Sequence, residues 1–172
     1  LIFLEIPSGF FADSYGRKNS ILISTFFSFI GYIILSNYSG FNQYLLAEIL
    51  LGIGGSLISG ADSAIIYDTL LELDDEDSYT KIEGKNYAIG NFSEAIAGIL
   101  GGFLAMSSIY LPIYIQTFVI MLSIPIAFSL VEPKRKFKII TSLKSILNIV
   151  KDTFIYNKKL KWYIIYSSAM GM

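Results

Sequence analysis

Long apolar stretches alternate with short polar ones along the whole chain. Four are long enough to cross a bilayer as helices: residues 19–37 (NSILISTFFSFIGYIILSN), a run from about Gln43 to Leu71, and runs at about 86–106 and 110–131. About 20 residues suffice to cross ~30 Å of hydrocarbon. Residues 1–12 read as the end of another spanning helix, and a further apolar run opens at Trp162 and reaches Met172. Between them lie the polar turn Asp13-Ser14-Tyr15-Gly16-Arg17-Lys18, a neutral connection at 38–42, an acidic stretch from Glu72 to Glu83 and the short joint Ser107-Ser108-Ile109. Glu132-Pro133 ends the last full span. Beyond Lys134, Leu143, Leu147, Val150 and Phe154 recur at helical spacing among lysines, the pattern of an amphipathic helix lying in the membrane interface. The pattern predicts an all-α polytopic membrane protein.

Composition agrees. Of the 172 residues 53% are hydrophobic and 16% charged, too apolar for an ordinary soluble domain, and the mean hydropathy is +0.58. Cysteine and histidine are both absent, which removes disulfides and thiolate metal sites and leaves carboxylates as the groups able to carry a proton near neutrality. With no clustered nucleophile and base, no catalytic site, metal or cofactor is expected and the chain is not expected to be an enzyme. A net charge of −1 singles out no partner, and nucleic acid is not expected as one. Gly52-Ile53-Gly54-Gly55 lies inside an apolar span and follows no strand, so it is not a nucleotide loop. The cluster Asp74-Asp75-Glu76-Asp77 lacks EF-hand spacing and reads as a solvated loop. The opening Leu1-Ile2-Phe3-Leu4 has no initiator methionine, basic region or cleavage site, so the chain is expected to be cut from something longer.

The basic residues orient the spans. Arg17 and Lys18 lie in the first turn, Lys81 and Lys85 in the acidic loop, and the other nine between Lys134 and Lys161, while the connections at 38–42 and 107–109 have none. Short cytoplasmic loops accumulate Lys and Arg. Loops 13–18, 72–85 and 132–161 are therefore expected to be cytoplasmic, in a multi-pass protein of the plasma membrane.

The string Gly9-Phe10-Phe11-Ala12-Asp13-Ser14-Tyr15-Gly16-Arg17-Lys18 matches G-x-x-x-D-x-x-G-R-K and resembles the loop motif between the second and third helices of the major facilitator superfamily. Glu5-Ile6-Pro7-Ser8-Gly9, the run from Ser59 to Asp68 and the exit Val131-Glu132-Pro133 are similar to a bacterial branch of that superfamily, mostly of undefined substrate. The resemblance implies that the spans are the second to sixth of twelve. Residues 1–131 would form a partial N-terminal bundle, 132–161 the linker between halves, and 162–172 the start of the C-terminal bundle, whose remainder would be a missing partner. Two positions depart from the family pattern. Ser14 stands where a basic residue is usual, and Glu48 stands at the usual arginine of the fourth helix, so a role tied to that arginine does not carry over. Ala97-Gly98-Ile99-Leu100-Gly101-Gly102 is similar to the glycine-rich motif of drug/proton antiporters but lacks its Gly-Pro.

In the turn itself, Gly9 would let a neighbouring helix approach, Gly16 would permit a sharp reversal, and Asp13 and Arg17 would place opposite charges where helix ends meet. A solvated turn with an orienting Arg-Lys pair would carry the same residues. Asp68, at the same depth as that turn, is expected to pair with Arg17. The resemblance implies that Gly9, Asp13, Gly16, Arg17 and Asp68 form a cytoplasmic gate, held in the outward-open state.

Ionisable groups at bilayer depth cost roughly 2.5–3.5 kcal/mol each on insertion scales and usually face protein or a water path. Glu48, Gly52, Gly55, Ser59 and Asp62 follow one another at intervals of 4, 3, 4 and 3 residues. At ~100° per residue these make one inward-facing stripe of an unbroken helix. Asn91, Glu94, Gly98, Gly101 and Ala105 repeat the device in the next span. Glu94, with Asn91 and with Glu48 or Asp62, is expected to line a central cavity and bind a cation, a cationic substrate or a coupling proton. A carboxylate bonded to a neighbouring helix, or reaching for the interface, would leave the same trace. The expected function is secondary active transport of a small solute by alternating access, with proton-coupled efflux as one form. Substrate, coupling ion and membrane lipid would be its partners. The rival is a non-transporting scaffold or sensor with a degenerate version of the fold.

Overall fold

The computed structural model describes residues 2–37 and 40–134, with residues 2–7 as backbone only. The expected linker beyond Lys134 and the start of a further bundle at 162–172 lie outside the described residues. Six α-helices make up the rest: α1 (Ile2–Tyr15), α2 (Arg17–Asn37), α3 (Phe41–Ile58), α4 (Ala61–Glu72), α5 (Tyr79–Ser107) and α6 (Leu111–Ser129). Among the described residues, four segments are long and apolar enough to cross a membrane: Arg17–Asn37, Phe41–Glu72, Glu76–Ser107 and Leu111–Ser129. These correspond to the four expected spans, and the architecture is a partial all-α membrane bundle.

Three boundaries differ from expectation. The polar turn at 13–18 is almost entirely helical, because Gly16 alone makes the reversal at a φ of 112° that only glycine adopts freely. The helix expected over 43–71 is interrupted at Ser59-Gly60, where Gly60 is left-handed with φ 79°. Ser59 N–H still donates to Gly55 O and Ala64 N–H to Gly60 O, so α3 and α4 close separately around the break. The acidic stretch is also shorter than expected. A 3-10 turn at Glu76–Ser78 leads directly into α5, so Lys81, Glu83 and Lys85 are helical rather than in a loop. Two contacts dock the start of α5 on α4. The Tyr67 and Tyr79 rings meet edge-on at 5.3 Å, and Ser63 Oγ donates to Glu83 Oε1.

Helix α2 sits between α3 and α6. Small residues let α2 and α3 come close, as is usual in membranes, where apolar burial drives no association between helices. A Cβ at Gly54 would lie 2.6 Å from Ser28 Oγ and 3.0 Å from the Ser24 carbonyl, and one at Gly31 would lie 2.9 Å from the Leu51 side chain. Ala47 is fully buried there, and Ser24 Oγ donates to Gly54 O at 2.8 Å across the seam. On the other side, Thr117 Oγ1 of α6 reaches Tyr32 O at 3.3 Å. A small apolar core of Ala12, Ile21, Ala61 and Ala127, flanked by Leu22, Ile65 and Leu130, lies beneath the α1–α2 reversal. Helix α5 contributes no buried residue, and Phe92, Ile99 and Phe103 are exposed on it.

Candidate functional site

The reversal at Gly16 sets Asp13 in the last turn of α1 and Arg17 at the first position of α2. Arg17 Nη2 lies 2.9 Å from Asp13 Oδ1, and Arg17 Nε lies 3.3 Å from Asp68 Oδ2 on α4. The Arg17 and Asp68 side chains are 18% and 19% exposed, and Asp13 is 36% exposed. One guanidinium thus bridges two carboxylates on different helices, a geometry suited to its rigid fork of donors. The expected Arg17–Asp68 pair is present at this end of the bundle. Gly9 differs from expectation: a Cβ there would meet nothing within 4 Å, so no described helix approaches it closely.

A further residue completes the cluster. Glu132, just past α6, accepts the Arg17 N–H on Oε1 at 2.9 Å and the Lys18 N–H on Oε2 at 2.7 Å. Amides in the first turn of a helix have no intrahelical acceptor, and a carboxylate there also complements the helix dipole. Lys18 Nζ donates in return to Phe128 O at 2.9 Å, in the last turn of α6. Lys134 N–H donates to Glu72 Oε2 at 3.0 Å, at the end of α4. In the sequence Glu132 stood out only as part of the exit Val131-Glu132-Pro133. The physical signal for its contact is that α2 starts directly after a glycine, which has no side chain to cap it.

The candidate cavity residues lie on exposed faces. Glu48, Asp62, Asn91 and Glu94 are all exposed among the described residues. Of the stripe through Glu48, Glu48, Ser59 and Asp62 are exposed and Gly52 and Gly55 half-buried; the residues α3 buries are Ala47, Gly54 and Ser56. The break at Ser59-Gly60 also interrupts the ~100° phase that joined Asp62 to Glu48 in an ideal helix. On α5, Cβ atoms at Gly98 and Gly101 would meet nothing within 4 Å. A recess of about 290 Å³ between α2, α3 and α6 includes Ser24, Thr25, Ser28, Gly55 and Ser123 in its lining, and none of the four candidate residues. Of its hydroxyls, Ser24 donates across the seam to the Gly54 carbonyl, while Thr25 and Ser123 donate back to the Ile21 and Ile120 carbonyls within their own helices.

The family model described as Major Facilitator Superfamily matches residues 1–172. An "Uncharacterized MFS-type transporter YxaM" of Bacillus subtilis is 35% identical over 113 residues, 65% of this chain and 27% of the relative. An "Uncharacterized transporter" of Buchnera aphidicola is 27% identical over 158 residues, 91% of this chain and 39% of the relative. The chain thus spans less than two fifths of the length of either relative. No solved structure matches.

Proposed function

Because the chain belongs to the Major Facilitator Superfamily, we propose that it forms part of a secondary transporter that moves a small solute across the plasma membrane by alternating access. The observation that carries this reading is the Arg17 bridge. It ties the α1–α2 reversal to α4 at the end of the bundle that carries Arg17, Lys18 and Lys134. By the positive-inside rule that end faces the cytoplasm. In the proposed mechanism Asp13, Arg17 and Asp68 hold it closed, and the contact breaks when the inside opens. A contact biases such an equilibrium only by its difference between the two states.

Glu94, with Asn91, Glu48 and Asp62, supplies the proposed cavity and coupling groups. Their support is energetic. These side chains stand on faces that no described helix covers, and an ionisable group left in hydrocarbon costs roughly 2.5–3.5 kcal/mol. Such faces turn toward protein or water in the assembled transporter, at a midplane site between its halves. The test is uptake and efflux of a substrate panel by full-length protein in vesicles under imposed proton or sodium gradients. Glu94→Gln should lose gradient-driven flux while inserting normally. Wild-type flux by that variant in every condition would remove the coupling role, and no flux by the parent protein on any substrate would favour the non-transporting scaffold.

A further inference from the structure

Residues 128–134 tie three helix ends together where Arg17 lies. Each oxygen of Glu132 takes one amide of the first turn of α2, and this two-point grip fixes orientation as well as distance. No other cap is available from the preceding residue, because Gly16 has no side chain; its positive φ and a Cβ position 3.1 Å from Glu132 Oε1 leave room for the carboxylate and little else. The exchange is reciprocal. Lys18 places its cation on a carbonyl at the C-terminal end of α6, and Glu132 places its anion at the N-terminal end of α2. Both charges are favourable to the helix dipoles they meet. Two residues further on, the Lys134 amide holds Glu72, one turn beyond Asp68 on α4. The segment 132–134 therefore holds both sides of the Arg17–Asp68 pair without belonging to it.

We propose that Glu132 is the positioning residue of this cluster. By clamping the Arg17 and Lys18 amides it sets the rotation of the first turn of α2, and so aims the Arg17 side chain at Asp13 and Asp68. Arg17 leaves the helix from one of the two clamped residues, so a few degrees of rotation there move a guanidinium that must meet carboxylates on two helices at once. The exit of α6 is thereby joined mechanically to the Arg17 bridge. The bearing of this on transport rests on the gate reading above; the coupling itself is a property of the folded protein and needs no substrate to measure.

The experiment is a mutant cycle in full-length protein in detergent, read as thermal midpoints. Arg17→Ala, Asp68→Asn and the double variant are made in the parent, in Glu132→Gln and in Glu132→Ala. The parent cycle should be non-additive, and its non-additivity should fall by about half or more in Glu132→Ala. Glu132→Gln keeps one of the two acceptor oxygens and should lie between; it also carries the comparison if the alanine variant does not fold. Hydrogen exchange of the 14–20 peptide should quicken by about tenfold in Glu132→Ala while α3 is unchanged. Undiminished non-additivity in both Glu132 backgrounds would make Glu132 an independent helix cap and overturn the proposal, as would an additive parent cycle. Loss of coupling alongside normal transport by Arg17→Ala would keep the positioning role and remove the gate; retained coupling alongside defective transport would do the reverse.

Discussion

Replacing Arg17 with alanine removes a guanidinium that serves carboxylates on two helices. The Asp13 contact spans one turn, its carboxylate is 36% exposed, and exposed pairs of this kind contribute about 0.2–1 kcal/mol. The Asp68 contact is more protected, at 18% and 19% exposure, but at 3.3 Å it is longer than the ~2.7–2.9 Å of the strongest charged hydrogen bonds. Its coupling should lie between the surface value and the about 3–5 kcal/mol lost when one partner of a fully buried pair is removed, hence about 1–2 kcal/mol. If the pair exists in one transport state only, that energy shifts the balance of states by roughly 5–30-fold. A single cysteine at Ser59, exposed at the break between α3 and α4, reports the shift as its labelling rate by an impermeant maleimide from the cytoplasmic side, in a full-length protein otherwise free of cysteine. Arg17→Ala should raise that rate by several-fold, with Arg17→Lys intermediate because it keeps the charge but not the fork. A fall in thermal midpoint with an unchanged labelling rate would refute the gate and leave the pair a structural brace.

Two further substitutions test the packing that supports this cluster. Gly16→Ala places a side chain at φ 112° and a Cβ 3.1 Å from Glu132 Oε1, so it should cost about 1–3 kcal/mol in unfolding experiments; a loss under ~0.5 kcal/mol would show that the turn can relax. Gly54→Ala drives a methyl to 3.0 Å from the Ser24 carbonyl, a backbone atom, and should cost about 1–3 kcal/mol by forcing α2 and α3 apart. Gly52→Ala, where nothing lies within 4 Å, should instead be neutral or stabilise by up to ~1 kcal/mol through helix propensity. Equal midpoints for these two variants would contradict the close α2–α3 seam.

Apolar run length made the spans legible, because a backbone crossing hydrocarbon must satisfy its own hydrogen bonds and a helix is the simplest way to do so. Run length says little about continuity. Ser59-Gly60 sits inside an apolar stretch with no proline or charge beside the glycine to announce a break, and Gly60 adopts its left-handed conformation at a position where a helical one was equally open to it. Residues 79–85 show the converse. Their polarity reads as loop, yet they are helical because Tyr79 and Glu83 find partners on α4 that composition does not reveal.

The site divides along the same line. Asp68 was legible as a partner for Arg17 because depth in a bundle follows from counting residues along helices of known direction, and two opposite charges at one depth near one rim have few alternatives. Glu94 and Glu48 show where that reasoning stops. Helical phase places each on a stripe, but a stripe specifies an angle and not a neighbour, and no described helix covers either one. Glu132 lies 115 residues from Arg17, beyond the reach of any local pattern, yet its contact answers a need that was visible locally. A helix entered through glycine leaves its first amides without an acceptor. In a bundle whose α2 and α6 pack side by side, an acceptor carried just past the end of α6 meets that need and also links the two helices. The uncapped helix start was thus the readable half of a long-range contact, and the glutamate before Pro133 was the other half.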